Sequence, residues 1–146
     1  MRKMFAALAA VPFTLTLMSS TASATEEDVV QTFQNVYTGA CVDDSSYGLR
    51  GYGCNGKVFQ DWTVHVWNDG TRQFRSRATG ECLYDDGYTL DTRPCNSSRE
   101  QSWYVDKNNG GAQLQSQATL ECLDDSSWGL RTLPCSPNWN THQRFK

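Results

Sequence analysis

Residues 38–62 read TGACVDDSSYGLRGYGCNGKVFQDW, and this stretch decides the fold. The pattern returns at residues 79–103 as TGECLYDDGYTLDTRPCNSSREQSW and at residues 119–145 as TLECLDDSSWGLRTLPCSPNWNTHQRF. Each copy holds two cysteines 13 positions apart, and the first cysteines follow one another after 41 and 40 residues. A fixed period of this size is typical of a repeat architecture. The sequence therefore predicts three units, at about residues 30–66, 67–107 and 108–146.

The six cysteines all lie in these units, and an even number in an exported chain indicates disulfides. Zinc, the alternative, usually takes closely spaced pairs such as C-x-x-C, which the sequence lacks. Of the many pairings that six cysteines allow, only pairing within units treats the copies alike. The predicted bridges are Cys41–Cys54, Cys82–Cys95 and Cys122–Cys135.

The local sequence is typical of β-structure. Short apolar runs are separated by turn signals such as Asn68-Asp69-Gly70 and Asp85-Asp86-Gly87. Between its two cysteines, each unit is predicted to form a hairpin that the disulfide closes at its open end. No helical pattern is found, and three such units suit a closed barrel with a hairpin cap, which leaves no exposed strand edges. An apolar residue stands eight positions before each first cysteine and is assigned to the core: Phe33, Phe74 and Leu114.

The first 24 residues are predicted to be a secretory signal peptide. Arg2 and Lys3 precede the mostly apolar residues 4–18, and residues 22–24 read Ala-Ser-Ala, a pattern typical of signal peptidase sites. A membrane anchor is the alternative, but the apolar stretch contains Pro12 and is shorter than the roughly 20 residues of a membrane span. The mature protein is then a single secreted domain, residues 25–146.

The charge of that domain limits its partners. The signal peptide contains two basic and no acidic residues, so the net charge changes from −3 for the whole chain to about −5 after cleavage. An acidic surface argues against nucleic acids and anionic membranes as partners. Neutral sugars and basic proteins remain open.

The units resemble the ricin-type β-trefoil lectin family, also known for its Q-x-W repeats. The resemblance covers essentially residues 25–146. It rests on the family pattern T-G-x-C-L-D before the hairpin, which each unit follows with one departure, and on Q-x-W at the end of the unit, which units one and two keep in full. It implies an all-β fold: a β-trefoil with three pseudo-symmetric repeats and one disulfide-closed hairpin per repeat. It also implies that the glutamine and aromatic residue of each Q-x-W site belong to the structural core. These are Gln60 and Trp62, Gln101 and Trp103, and Gln143 with Phe145, which keeps the aromatic.

The family resemblance also implies shallow sites for galactose, xylose or related sugars, one per unit. The family's sugar-binding carboxylate stands two residues after the first cysteine, where this chain has Asp43, Tyr84 and Asp124. An ionised carboxylate can accept two hydroxyl hydrogen bonds, although an aspartate can also cap a turn. The family's aromatic residue on which the sugar stacks lies two residues before the second cysteine, and this chain keeps it only as Tyr52.

Each hairpin also has an aromatic residue six positions after the first cysteine, which is a second candidate for stacking on a sugar. In units one and three an arginine follows three residues later. An aromatic ring can stack on the apolar face of a sugar, and arginine can donate several hydrogen bonds. The alternative is that the ring packs on its own hairpin and the arginine pairs with an aspartate. Unit two is predicted to be the most degenerate site. The candidate sugar-binding residues are Asp43, Tyr47, Arg50 and Tyr52, then Asp85 and Tyr88, then Asp124, Trp128 and Arg131, with Trp139 as an extra aromatic candidate.

The sequence gives no sign of an enzyme. The aspartate pairs recur at turns as parts of a repeat, whereas glycoside hydrolysis needs one placed pair of carboxylates. The two histidines, His65 and His142, stand in no nucleophile motif. We expect a non-catalytic, monomeric lectin without cofactor or metal, which binds a glycan or polysaccharide through up to three sites. The alternative is a protein-interaction module or the lectin subunit of a secreted toxin or enzyme assembly.

Overall fold

The computed structural model describes residues 28–108, 110–138 and 140–146, so the expected signal peptide and Trp139 lie outside the described residues. No helix in this described part has the length and apolar character needed to cross a bilayer. The strands are β1 (Val29–Gln31), β2 (Ala40–Ser45), β3 (Gly48–Gly53), β4 (Trp62–Val66), β5 (Arg72–Ser76), β6 (Cys82–Asp85), β7 (Leu90–Arg93), β8 (Trp103–Asn108), β9 (Gly111–Ser116), β10 (Glu121–Ser126) and β11 (Gly129–Pro134). Short 3-10 helices lie at Val58–Gln60, Arg99–Gln101 and Thr141–Gln143.

Five strands and the C-terminal residues close a barrel. Strands β1, β4, β5, β8 and β9 pair in this order, each antiparallel to the next. Phe145 exchanges two backbone hydrogen bonds with Ala112, of 2.7 and 2.9 Å, on one side. On the other side, Lys146 exchanges two with Gln34, of 2.9 and 3.0 Å. The last two residues therefore take the place of a sixth strand, and closure satisfies the edges that an open sheet would expose.

Three hairpins cap the barrel: β2 with β3, β6 with β7, and β10 with β11. Strand β3 packs against both β7 and β11, so the hairpins contact one another around the pseudo-three-fold axis. The predicted bridges Cys41–Cys54, Cys82–Cys95 and Cys122–Cys135 are all formed, one at the open end of each hairpin. This arrangement is a β-trefoil, and it confirms the predicted all-β fold with one disulfide-closed hairpin per repeat.

The core lies where barrel and hairpins meet. Trp62 donates its indole N–H to the Val42 carbonyl at 3.0 Å, and Trp103 donates to the Leu83 carbonyl at 3.3 Å. Each bond joins the barrel strand of a unit to its hairpin, and a tryptophan satisfies its polar group without leaving the core. Phe145 fills the third position without such a group. The buried cluster is Phe33, Val42, Trp62, Val64, Phe74, Leu83, Trp103, Leu114, Leu123 and Phe145.

The glutamine of each Q-x-W site holds the chain around the second cysteine of its unit. Gln60 accepts from the Asn55 N–H at 2.9 Å and donates to the Gly53 carbonyl at 3.0 Å, so it bridges the two residues beside Cys54. Gln101 and Gln143 make the corresponding pairs of bonds. All three glutamines are buried and their amides are hydrogen-bonded within the protein, so these amides are unavailable to a ligand.

A second repeated contact joins each unit to the next. Asp44 of unit one accepts hydrogen bonds from Thr79 Oγ1 at 2.6 Å and from Thr92 Oγ1 at 3.1 Å, both in unit two. Asp85 accepts in the same way from unit three, and Asp125 accepts from unit one, which closes the circle. We call these three aspartates and their threonine partners the inter-unit ring. Because the carboxylates are at most 3% exposed and span units, the ring fixes the hairpins relative to one another.

Unit one departs from this ring at Gly51, where the other units have a threonine. A Cβ at Gly51 would lie 2.7 Å from both carboxylate oxygens of Asp125. We therefore expect Gly51→Ala to lower the free energy of unfolding by about 1–3 kcal/mol, since the buried carboxylate must shift. Gly53→Ala on the same strand is the control, because no atom lies within 4 Å of its Cβ position. Urea unfolding measures both, and an equal loss in the two variants would contradict the close approach.

Candidate functional site

The tips of the three hairpins present aromatic rings to solvent. Tyr47, Tyr88 and Trp128 are 82%, 98% and 83% exposed. The residue that carries each ring lies in a turn, and its backbone N–H donates to the side chain two residues earlier, at 2.9–3.2 Å. Gly48 and Gly129, with φ of 86° and 90°, let the chain return directly after Tyr47 and Trp128. The sequence therefore builds rigid turns that carry large apolar faces outside the core.

In unit one the structure brings the four predicted residues together. Arg50 stands opposite Asp43 on the hairpin and donates from Nε to Asp43 Oδ1 at 3.1 Å. Its guanidinium carbon lies 4.0 Å from the ring centroid of Tyr52 and 4.9 Å from that of Tyr47. Both are cation–π distances. Among the described residues no partner is found for the two terminal amino groups of Arg50.

The carboxylate of Asp43 lies beneath this surface. The residue is 1% exposed, and its second oxygen accepts from Gln60 Nε2 at 3.1 Å. The sequence predicts that Asp43 accepts hydrogen bonds from a ligand directly, whereas in the structure both of its oxygens already have partners in the protein. The side chain that reaches the surface is Arg50, which is one-third exposed at 33%. The weighed alternative, an arginine paired with the aspartate, is thus present beside an exposed ring.

Unit three repeats the arrangement with a larger ring. Arg131 donates from Nε to Asp124 Oδ1 at 3.3 Å, and Asp124 is 3% exposed while the Arg131 side chain is 40% exposed. Trp128 stands at the tip in the position of Tyr47, and Leu133 replaces Tyr52. Units one and three therefore share a buried aspartate, a partly exposed arginine and an exposed ring.

Unit two contains the same kinds of side chain in different positions. Tyr84 takes the place of the buried aspartate, Asp91 that of the arginine, and Arg93 that of Tyr52. Arg93 contacts Asp91 at 3.4 Å and lies 5.7 Å from the Tyr84 ring centroid. The acid, base and ring thus form one compact surface cluster, and the tip ring of Tyr88 is separate from it.

Asp86 organises the turn of unit two. Backbone N–H groups of Tyr88 and Thr89 donate to its carboxylate and lower its pKa. The hydroxyl of Tyr84 donates to the other oxygen of Asp86 at 3.0 Å, and this bond raises the pKa of Tyr84. At neutral pH the turn therefore combines an anionic carboxylate with a neutral phenol, and the carboxylate holds the backbone of the turn that carries Tyr88.

Hairpins two and three enclose a cleft of about 300 Å³, which we call the hairpin cleft. Its walls include the exposed Tyr88 of unit two, and Arg131 and Glu121 of unit three. The spacing along the sequence pairs Tyr47 with Arg50 and Trp128 with Arg131, each within one unit, and it does not predict this association of Tyr88 with an arginine of the next unit. Asp85, expected to bind sugar, borders the cleft but is 1% exposed and belongs to the inter-unit ring. We assign Asp85 a structural role.

The residues that the sequence analysis missed are the threonines of the inter-unit ring. Thr38, Thr79 and Thr119 stand three residues before each first cysteine, so their repetition was a visible signal. In the described part of the chain, no group of three or more His, Cys, Asp or Glu side chains is placed to hold a metal ion.

Comparisons of structure place the fold among known trefoils. It is similar to the designed three-fold symmetric protein ThreeFoil, with a TM-score of 0.72 and 15% identity over 80% of this chain and 96% of that chain. It is also similar to the Macrolepiota procera ricin B-like lectin, solved with lactose, with a TM-score of 0.66 and 19% identity over 87% of this chain and 97% of that chain. A mosquitocidal holotoxin matches with a TM-score of 0.71 and 16% identity over 86% of this chain but only 18% of that chain.

Comparison of the sequence identifies the family. No curated protein matches the chain. The model of the ricin-type beta-trefoil lectin domain, however, matches residues 29–145, which include all three disulfides and all three hairpins. A fold of this kind supports carbohydrate binding. The repeated units, the trefoil and this match together show that the chain belongs to the ricin-type β-trefoil lectin family.

Proposed function

We propose that the protein is a secreted, non-catalytic lectin that binds glycans through the hairpin tips of units one and three. The observation that carries the proposal is the pairing of an exposed ring with an arginine held by a buried aspartate, present twice on one rigid body. Secretion is supported by the three disulfides, which persist in oxidising compartments.

Each part of the site has a separate task. The ring of Tyr47 or Trp128 offers a flat apolar face on which the C–H surface of a pyranose can stack. The arginine donates hydrogen bonds from its terminal amino groups to hydroxyl or ring oxygens. The aspartate does not contact the sugar but holds the Nε of the arginine, so that its amino groups are oriented before the ligand arrives.

The hairpin cleft extends the site of unit three. Arg131 lines it from one side, and Tyr88 adds a second exposed ring from the other. A branched or extended glycan that stacks on Trp128 can therefore continue toward Tyr88. Unit two contributes in this way to its neighbour rather than through its own rearranged cluster.

The buried aspartates argue against hydrolysis. Asp43 and Asp124 are ion-paired with arginine, and Asp44, Asp85 and Asp125 accept threonine hydroxyls. Glycoside hydrolysis needs two carboxylates that flank a substrate bond. Carboxylates committed to structural partners below the surface are poorly suited to that task, which supports a binding function.

A second candidate function is the lectin subunit of a larger secreted assembly. The fold matches only 18% of the mosquitocidal holotoxin and 31% of the hemolytic lectin CEL-III, so domains of this fold also occur inside longer chains. Native mass spectrometry of the purified protein from its own culture medium separates the two proposals. A free monomer favours the independent lectin, and a defined heteromeric mass favours the assembly.

The ring substitution Tyr47→Ala/Trp128→Ala tests the proposed sites. We expect the wild type to bind members of a broad glycan or polysaccharide array and the double variant to lose at least about tenfold in affinity, since two stacking faces are removed. Tyr104→Ala is the matched control, because Tyr104 is an exposed tyrosine, 39%, on barrel strand β8. Full binding by the double variant, or no binding by the wild type to any sugar, would reject the proposal.

A further inference from the structure

A cleft on the barrel wall, away from the hairpin tips, combines side chains suited to a ligand. It has a volume of about 280 Å³, close to the lower end of small-ligand pockets. Its lining includes Asp28, Thr63, His65, Trp67, Gln73, Arg75 and Cys95. We call it the β4–β5 cleft, because most of these residues lie on or directly after the outward face of those strands.

The strand register places these side chains side by side. Thr63 pairs with Arg75 and His65 pairs with Gln73 across β4 and β5. Trp67 follows directly after β4, and its ring meets that of His65 edge to face, with centroids 4.5 Å apart. Neighbouring strands therefore form a floor of polar groups beside an aromatic wall.

His65 is fixed by a residue from outside the hairpin. Its Nδ1 lies 2.7 Å from Asp28 Oδ1, just before β1, and both side chains are partly exposed at 40% and 45%. An imidazole held through one nitrogen presents the other in a defined direction. Arg75 is also held, because its Nε donates to the Gly80 carbonyl at 3.0 Å and orients the guanidinium.

Trp67 presents carbon rather than nitrogen to the cleft. Its indole Nε1 is buried without a hydrogen-bond partner among the described residues, while the residue as a whole is partly exposed. The exposed surface of the ring is therefore apolar. Since Nδ1 of His65 donates to the Asp28 carboxylate, Nε2 of the neutral imidazole is an oriented acceptor, while the guanidinium of Arg75 is an oriented donor. An apolar ring face beside an oriented acceptor and an oriented donor is the combination that recognises the C–H face and hydroxyls of a sugar.

The repeat itself sets this cleft apart. At the corresponding positions of unit two stand Tyr104, Asp106, Asn108 and Gln115 in place of Thr63, His65, Trp67 and Arg75. Unit two does repeat the core residues of these strands. Gln113 also repeats there the side-chain bond that Gln73 makes to a backbone carbonyl. The fold thus requires the core and this glutamine in both units, but it does not require the histidine and tryptophan.

We infer that the β4–β5 cleft is an additional carbohydrate subsite, which takes one sugar residue stacked on Trp67 and hydrogen-bonded to His65 and Arg75. The inference rests on the proposed lectin function and extends it to a surface remote from the hairpin tips. A long polysaccharide can then be held on the barrel wall as well as on the cap.

The inference is tested by titrating the isotope-labelled full chain with galactose, xylose and N-acetylglucosamine. Each sugar is added to about 50 mM, because single shallow sites bind weakly. At least one sugar is expected to shift the backbone amides of His65–Trp67 and Gln73–Arg75 saturably in two-dimensional NMR spectra. The shifts should persist with an unchanged dissociation constant in Tyr47→Ala/Trp128→Ala. In Trp67→Ala the affinity reported by these shifts should fall at least about tenfold. In the control Tyr104→Ala both the shifts and the affinity should remain.

The outcomes separate this inference from the proposed function. Saturable shifts at the hairpin tips alone would overturn the additional subsite and leave the lectin function intact. Shifts at neither surface, for any of the three sugars, would overturn both. Because the decisive signals come from the wild-type protein, the test holds even if Trp67→Ala folds poorly.

Discussion

Reduction of the three disulfides is expected to lower the melting temperature by about 20 °C or more. Each bridge closes a loop with a sequence separation of 13. Such a loop is worth about 3 kcal/mol in the chain-entropy model. Three of them sum to an amount comparable with the whole stability of a domain, about 5–15 kcal/mol. For a domain of this size, 1 kcal/mol shifts the melting temperature by roughly 2–8 °C.

One cysteine of each bridge is accessible enough for a reductant to cleave the bond in the folded protein. In each bridge the first cysteine is buried and the second is more accessible, so a reductant can reach the bond from outside. Thermal unfolding is followed by circular dichroism with and without dithiothreitol, and mass spectrometry verifies the free thiols. Cys82→Ala/Cys95→Ala, which removes one bridge, should give about one third of the effect. An unchanged transition in fully reduced protein would disprove the stabilising role of the bridges.

The fold was predictable because the residues that determine it occur three times at the same spacing. The paired cysteines, the Q-x-W glutamines and the apolar residues such as Phe33 and Phe74 recur at fixed spacing, and the structure places each set at equivalent positions. Two-residue turns at Tyr47 and Trp128 also follow from local chemistry, since glycine comes next in both. The disulfides and the backbone bonds of the glutamines lie within a unit, so one copy of the sequence already encodes them. The apolar residues meet across units, as Phe33 meets Phe74 with ring centroids 5.1 Å apart, but their burial follows from their residue type alone.

The partners of the aspartates were not predictable in the same way. Asp43 and Asp44 are neighbours in sequence, but β2 turns one toward Arg50 and the other toward unit two. Alternation along a strand predicts that they face opposite sides. It does not say which threonine meets Asp44, because that contact forms only when the units dock. For the same reason the meeting of Tyr88 with Arg131 in the hairpin cleft could be read only from the assembled trefoil.

The two arginine sites should act together on an extended ligand. Removal of one site, by Arg50→Ala, is expected to weaken binding to an immobilised polysaccharide about 10²-fold or more. The reason is that linked sites gain about 10²–10⁴ in avidity, and this gain is lost when one site remains. Arg50→Ala/Arg131→Ala should remove binding at both hairpins. Arg77→Ala is the control, because Arg77 pairs with Asp61 at 3.8 Å outside the hairpins.

A short soluble oligosaccharide distinguishes loss of a site from loss of structure. In Arg50→Ala, NMR signals of hairpin one should stop responding to this ligand, while those of hairpin three titrate with the wild-type dissociation constant. Asp43→Asn should weaken binding at hairpin one without abolishing it, because the amide oxygen still accepts from Arg50 but carries no charge. If Arg50→Ala kept full avidity on the polysaccharide, the two hairpins would not be coupled sites. If Asp43→Asn abolished binding while Arg50→Ala did not, the carboxylate itself, and not the arginine that it positions, would contact the sugar.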